Sequence, residues 1–217
     1  MKRRLIRKSM LRALCIGLVL TAASQSMAAM PDWEFRVLLD ERPIGYHRFT
    51  LRGQGTERQL TSEARFNVKL WFINAYRYAH DATEAWRDNC IEAMTARTHD
   101  GGKNLEVIAS QDAGYLAVTS ARGRDVIQGC VMSFAYWNPE ILRQSHLLNV
   151  QTGEYTPVRI AALGEEQVTV RGSMMTATRY RISGPKFPID LWYLADRTWV
   201  ALQSTVDRGR SLRYELK

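Results

Sequence analysis

The sequence predicts an all-β fold with minor helix, in which an antiparallel meander is curled into a barrel or a strongly curved open sheet. Two observations carry this prediction. Residues 60–70 alternate strictly between apolar or small side chains and polar ones, which is the period of a half-buried strand and not of a helix. Short strand-like runs also recur between turn residues such as Gly101-Gly102, as expected for successive hairpins.

The individual strands are predicted from the same alternation. Residues 33–39 and 44–52 form a first hairpin. Residues 71–81 and 83–97 predict strands joined by a polar turn, with a helix over 85–96 as the open alternative. The remaining predicted strands cover residues 105–109, 115–119, 147–151, 154–163, 167–171, 177–182, 189–194, 199–206 and 212–216, with Gly164-Glu165-Glu166 as one of the turns.

One helix start interrupts this series. Asn138 can cap a helix with its side-chain oxygen, and Pro139 suits the first helical position, so a short inserted helix is predicted near 139–145. Just upstream lie Phe134, Tyr136 and Trp137, which expose too much apolar surface to remain in water. We therefore expect this segment to plug or close the core of the sheet.

The N-terminus has the order of regions found in a secretory signal. Six basic residues precede the apolar run Ala13–Ala23, and small residues occupy the positions before Ala29. A spanning helix would need ~20 apolar residues, about twice this run. The sequence therefore predicts a signal peptide over 1–28, cleavage between Ala28 and Ala29, and a single periplasmic β-rich domain over 29–217 that does not span the membrane.

Removal of this signal changes the net charge of the chain and the number of its cysteines. The precursor carries a formal charge of +8, but the signal holds six of the 30 basic residues and none of the 22 acidic ones, which leaves +2. A nucleic-acid partner, which needs a basic face on the folded protein, is excluded. Cys90 and Cys130 remain as a pair in an oxidising compartment and are predicted to form a disulfide.

Three segments carry a resemblance to a known family. They are Asp40-x-x-Pro43-Ile44-Gly45-x-His47-x-Phe49, Tyr76-Arg77-Tyr78-x-His80-x-x-x-Glu84-x-Trp86, and Leu191-Trp192-Tyr193 before Trp199-Val200-Ala201-Leu202. The mature chain resembles an uncharacterised exported bacterial family, domain of unknown function 6134, and is more faintly similar to domain of unknown function 3108. The resemblance implies a periplasmic, mostly antiparallel β-protein shaped like the curved sheets of lipoprotein carriers. It implies no catalytic residue.

A ligand site is predicted where the aromatic segment would meet the second strand. His47, Phe49 and Leu51 share one face of that strand. If the sheet curves around a cavity, they should line it together with Phe134, Tyr136 and Trp137. The result would be a mostly apolar pocket with one polar group, suited to a lipid or another apolar ligand.

Catalytic and metal chemistry find less support in the residues. No nucleophile elbow or phosphate loop occurs, no histidine pair has metal-ligand spacing, and no cofactor is predicted. Three functions stay open. The first is a periplasmic non-catalytic β-domain that binds a lipid or another apolar ligand, the second is an envelope structural or protein-interaction protein, and the third is a hydrolase or isomerase that uses His47 or His80.

Overall fold

The computed structural model describes residues 32–70 and 73–217, so the predicted signal segment lies outside the described residues. The described residues form fifteen strands and two short 3₁₀ helices, Pro139–Arg143 and Asp207–Gly209. The strands are β1 (Asp32–Leu39), β2 (Arg42–Gln54), β3 (Glu57–Leu70), β4 (Ile73–Arg87), β5 (Cys90–Asp100), β6 (Lys103–Asp112), β7 (Tyr115–Ser120), β8 (Gly123–Gln128), β9 (His146–Leu148), β10 (Tyr155–Pro157), β11 (Arg159–Val170), β12 (Ser173–Ser183), β13 (Ile189–Tyr193), β14 (Trp199–Val206) and β15 (Arg210–Leu216).

Thirteen of these strands form one antiparallel sheet, in the order β11-β12-β13-β14-β15-β1-β2-β3-β4-β5-β6-β7-β8. Nearly every neighbour in the sheet is a neighbour along the chain, so the predicted meander is confirmed. The exception is β1, which pairs with both β2 and β15 and so joins the two ends of the described chain in the middle of the sheet. The sheet is not closed, since β8 and β11 are its two edges in the described part of the chain.

The sheet curls around the segment that connects β8 to β11. The Ser133 hydroxyl of this segment donates a hydrogen bond to Glu84 on β4, while the Tyr136 carbonyl oxygen accepts one from Tyr193 on β13. Strands β4 and β13 are six positions apart in the sheet, which would be about 29 Å if the sheet were flat. Because one short segment reaches both strands, the sheet must be strongly curved, as the sequence predicted.

The buried face of the sheet follows the alternation of its residues. On β3, Leu60, Ser62 and Ala64 are buried, whereas the intervening side chains are exposed or half-buried. Phe35 of β1 is fully buried and its ring centroid lies 4.4 Å from that of Trp199 on β14. The core therefore forms between the inner face of the sheet and the connecting segment, which contributes Val131, Met132, Leu147 and Leu148.

The predicted helix is present, but it is a 3₁₀ helix of five residues. The Asn138 side-chain oxygen accepts a hydrogen bond from the Glu140 backbone N–H at 3.1 Å, which is the predicted cap. The helix ends because Gln144 is already extended, with a ψ of 146°. It packs against β11 and is not among the elements that line the cavity described below.

Two local predictions were wrong and one strand was missed. The turn predicted between residues 81 and 83 lies inside β4, and the turn between β4 and β5 falls instead at Asp88-Asn89, where Asp88 takes a positive φ of 53°. The residues on both sides of this turn form strands, as predicted, and not the alternative helix over 85–96. The predicted turn at Gly164 lies inside β11, because the extra residue is accommodated by a register shift between Ala162 and Gly164. Strand β8 was missed, since its charged and mostly exposed residues give no alternating pattern.

Candidate functional site

A cavity of about 410 Å³ lies between the inner face of the sheet and the connecting segment. Strands β2, β3 and β4, together with Tyr214 of β15, form its floor, and Phe134, Tyr136 and Trp137 form the opposite wall. Residues 149–151, residues 185–187, Ile189, Leu212 and β14 complete it. Its lining consists of His47, Phe49, Leu60, Ser62, Tyr78, His80, Glu84, Phe134, Tyr136, Trp137, Asn149, Val150, Gln151, Pro185, Lys186, Phe187, Ile189, Leu202, Ser204, Thr205, Val206, Leu212 and Tyr214.

Small residues in the centre of the floor leave room for this cavity. On β3, Ala64 pairs with both His47 of β2 and His80 of β4. In the next row, Ser62 pairs with Phe49 and with Ala82. Because Ala64, Ser62 and Ala82 are small, they leave unfilled space beside the larger rings of His47, Phe49 and His80, and the inner face is hollow along β3.

His47 is held in the floor by both of its ring nitrogens. Nε2 lies 2.7 Å from the Ser62 hydroxyl, and Nδ1 lies 3.3 Å from the Tyr214 hydroxyl. The ring also stacks on Phe49, with centroids 4.0 Å apart. Burial, followed by the proximity of His80, lowers the pKa of His47 well below its usual value, so the ring is uncharged at neutral pH.

His80 is the second imidazole of the floor, and its centroid lies 6.4 Å from that of His47. It is 3% exposed, and its Nδ1 lies 2.8 Å from the Thr98 hydroxyl. Burial lowers the pKa of His80 to about 4 despite the opposing effect of Asp81. His80 is therefore also neutral, and among the described residues its Nε2 has no hydrogen-bond partner.

Glu84 is the one acidic residue among the described residues that line the cavity. It is 4% exposed, and burial raises its pKa to about 7, against the hydrogen bond that it accepts from Ser133 at 2.7 Å. Trp86 lowers this pKa by a smaller amount, although its indole nitrogen makes no hydrogen bond of good geometry. The carboxyl group is thus partly protonated at neutral pH.

The aromatic wall is fixed to the sheet by contacts of the residues on either side of it. Cys130 forms a disulfide with Cys90, as predicted, and the Val131 carbonyl accepts a hydrogen bond from the Ile91 N–H at 2.9 Å. Further along, the Asn138 side-chain amide donates to the Asn89 side chain at 3.0 Å. The wall is therefore anchored at the turn between β4 and β5.

Lys186 and Thr205 are the two exposed residues of the described lining, and they mark the mouth through which the cavity opens to solvent. The Lys186 ammonium lies 2.6 Å from the Asp207 carboxylate and also packs over the Phe187 ring. Entry from solvent is consequently possible without opening the sheet.

The structure places five of the six predicted ligand residues in the lining: His47, Phe49, Phe134, Tyr136 and Trp137. Leu51 is not in the lining. It lies two residues further along β2, beyond the pair of Thr50 with Asp32, and is buried in the core. Whether the other five bind a ligand stays a prediction.

Sequence reasoning predicted His47 as a ligand residue and His80 as a catalytic candidate, but it did not identify Ser62 or Tyr214 as site residues. A signal did exist on β4, because Tyr78, His80 and Glu84 are separated by even numbers of residues and must share a face of one strand. That face points into the cavity.

Within 32–70 and 73–217, no group of three or more His, Cys, Asp or Glu side chains is arranged to hold a metal ion. None of the helices in the described part of the chain has the length and apolar character needed to cross a membrane.

Comparisons with known proteins identify a family and a fold. The family model described as "Domain of unknown function (DUF6134)" matches residues 35–217. Among solved structures, the chain is similar to a β-barrel-like protein of domain of unknown function DUF1849 from Brucella abortus, with 9% sequence identity, a TM-score of 0.59, and coverage of 86% of this chain and 94% of that chain. No curated protein matches the chain. At this identity the structural likeness shows the fold alone.

Proposed function

The chain belongs to the DUF6134 family, whose function is unknown. From the chemistry of the cavity, we propose that the protein is a periplasmic, non-catalytic β-domain that binds a lipid or another apolar ligand. The observation that carries the proposal is the cavity of about 410 Å³, which is lined mainly by aromatic and aliphatic side chains and opens to solvent. Cavities of this size and character are typical of small-molecule sites. The periplasmic location is supported by the predicted signal peptide and agrees with the disulfide.

The partial exposure of the aromatic wall favours a role in ligand binding over a role in core packing alone. Phe134 and Tyr136 are only half-buried, although the segment that carries them is anchored on both sides. An unfilled space lined by large apolar groups forfeits contacts that a close-packed interior would make. An apolar ligand would restore those contacts, which gives binding a clear driving force.

The hydrolase alternative has one observation in its favour, the 2.7 Å contact between His47 Nε2 and the Ser62 hydroxyl. A general base must become positively charged when it takes the serine proton, and burial disfavours that charge on His47. Its other nitrogen faces the uncharged Tyr214 hydroxyl. We therefore assign the pair to hydrogen bonding within the floor.

The interaction-protein alternative is favoured by the edge strand β11. This strand is largely exposed, with Leu163 48% exposed, and the adjoining Met174 is 63% exposed. An unpaired edge with apolar side chains is a site where another strand can add. Binding at this edge would not require the cavity, so blocking the cavity separates the two functions.

The test is a titration of tryptophan emission with long-chain lipids, using a variant that blocks the mouth. Thr205→Trp places a bulky ring at an exposed lining position and should weaken lipid binding at least tenfold. Thr119→Trp adds the same ring at an exposed position of β7 outside the cavity and should bind as the unmodified protein does. Equal binding by all three proteins would overturn the cavity as the site. Mass spectrometry of protein isolated from the periplasm tests whether such a ligand copurifies.

A further inference from the structure

The cavity has buried polar side chains at its deepest part as well as exposed ones at its mouth. Ser62, His80 and Glu84 are 5%, 3% and 4% exposed, whereas Lys186 and Thr205 at the mouth are exposed. Apolar cavities that hold only hydrocarbon have no need of such groups. Buried polar groups lower stability unless they are hydrogen-bonded, so a polar floor below an aromatic wall points to a ligand with a polar end directed inward.

The floor contains no positive charge that could bind an anion. Among the described residues that line the cavity, Lys186 is the one lysine or arginine, and it is at the mouth with Asp207 as its partner. A carboxylate or phosphate carried down to the floor would lose its hydration and meet no counter-charge. Burying an unpaired charge in this way is strongly unfavourable.

The hydrogen-bonding groups of the floor can instead serve an uncharged partner. Within the described part of the chain, His80 Nε2 has no partner and Glu84 uses only one carboxyl oxygen in a hydrogen bond of good geometry, with Ser133. The Ser62 and Tyr214 hydroxyls can each donate or accept. Together these groups can bind a hydroxyl, which both donates and accepts hydrogen bonds, or an ester, which only accepts them.

The electrostatic state of the floor agrees with this geometry. Burial lowers the pKa of His47 and His80, which leaves both rings uncharged at neutral pH, and raises that of Glu84 to about 7, so this carboxyl group is partly ionised there. A floor with uncharged imidazoles and a partly ionised carboxyl group neither attracts an anion nor compensates one.

We infer that the cavity selects a neutral amphiphile, such as a long-chain alcohol or a monoacylglycerol, and holds its uncharged hydroxyl or ester end at the floor formed by His47, Ser62, His80, Glu84 and Tyr214. The alkyl chain then runs along the aromatic wall toward the mouth. This inference rests on the proposed function and names the ligand class of the same cavity.

The experiment compares three probes of equal chain length at pH 7.5: 1-dodecanol, dodecanoate and n-dodecane. Binding is measured by the change in tryptophan emission of the full mature protein. We expect 1-dodecanol to bind at least tenfold more tightly than dodecanoate, because the carboxylate is ionised at this pH. It should also bind more tightly than n-dodecane, because the alkane leaves the polar floor unpaired.

Two serine variants locate the polar end of the ligand. Ser62→Ala removes a hydroxyl from the floor and should weaken 1-dodecanol binding about 3- to 10-fold, while n-dodecane binding, which reports an intact cavity, stays the same. Ser110→Ala is the matched control, since Ser110 is an exposed residue of β6 outside the lining of the cavity. Its binding of 1-dodecanol should stay within about twofold of the unmodified protein.

Three outcomes would overturn the inference, and they are distinguishable. If dodecanoate binds at least as tightly as 1-dodecanol and Lys186→Met weakens it, the ligand is an anion held at the mouth. If n-dodecane binds as tightly as 1-dodecanol, the floor takes no part, although the proposed function stands. If no probe binds, the proposed function is refuted and the inference falls with it.

Discussion

Replacing Glu84 with glutamine should change how the stability of the protein depends on pH. Glu84 is buried, and its pKa in the folded protein is about 7 against an ordinary value of 4.5. Glutamine has nearly the same shape and can still accept the hydrogen bond from Ser133, but it does not ionise. The comparison therefore isolates the free energy of the buried charge.

The sign follows from proton binding. Between pH 4.5 and 7 the folded protein keeps the proton on Glu84 and the unfolded chain loses it, so the folded state binds more protons and stability falls as pH rises. The fall is complete above pH 7, where both states are ionised. With about 1.4 kcal/mol for each pH unit between the two pKa values, the buried carboxylate lowers the free energy of unfolding by about 3 kcal/mol at pH 8.5.

The measurement is urea unfolding of the Glu84→Gln and unmodified proteins at pH 4 and pH 8.5, followed by tryptophan emission with the disulfide intact. The difference in free energy of unfolding should shift by about 3 kcal/mol in favour of the variant between the two pH values. His47 and His80, which become harder to keep neutral at low pH, affect both proteins equally and cancel in the difference. Glu165→Gln, at an exposed position of β11, is the control and should show no such shift.

A difference that does not change with pH would refute this reasoning. It would mean that water in the cavity solvates the carboxylate, so that its pKa is ordinary. The neutral character of the floor would then lose its main electrostatic support.

Three further predictions concern the wall and the export signal. Replacing Cys90 and Cys130 together with serine should lower the free energy of unfolding by about 4 kcal/mol, because the bridge closes a loop across a sequence separation of 40; urea unfolding measures it. Trp137→Ala should lower the free energy of unfolding by about 3 kcal/mol and should reduce the change in tryptophan emission on ligand binding, which a titration measures. N-terminal sequencing of the exported protein should begin at Ala29, and a start at Met1 in a membrane fraction would contradict the proposed periplasmic location.

The fold could be predicted because local sequence patterns determine its strands and turns. The alternation on β3 and the glycines of the hairpin turns each act over a few residues, and a meander needs little more than their repetition. The aromatic wall was also visible, because Phe134, Tyr136 and Trp137 lie together beside a helix cap. The wrong turn at Gly164 has a local cause too, since a glycine with positive φ serves a bulge as well as a turn.

The floor could not be predicted because it depends on register between strands. His47, Ala64 and His80 lie side by side because of the register in which β3 pairs with β2 and with β4. A shift of one residue at the Gly55-Thr56 turn would leave β2 and β3 equally alternating but would pair different residues across them. The alternation therefore indicates which residues face inward, and the three-dimensional structure is needed to show which of them meet.

The polar floor makes the protein less stable than an apolar floor would. Ionisation of Glu84 lowers stability above pH 4.5, and His80, whose pKa is lowered from 6.5 to about 4, contributes stability that is lost as the pH falls below 6.5. The two effects act in opposite directions across the same range, so neither acid nor base relieves both. A leucine-filled floor would avoid both effects and would pack more closely. Perturbed ionisable groups gathered in one cavity, at a cost to stability, are characteristic of a functional site and agree with a ligand that supplies the missing hydrogen bonds.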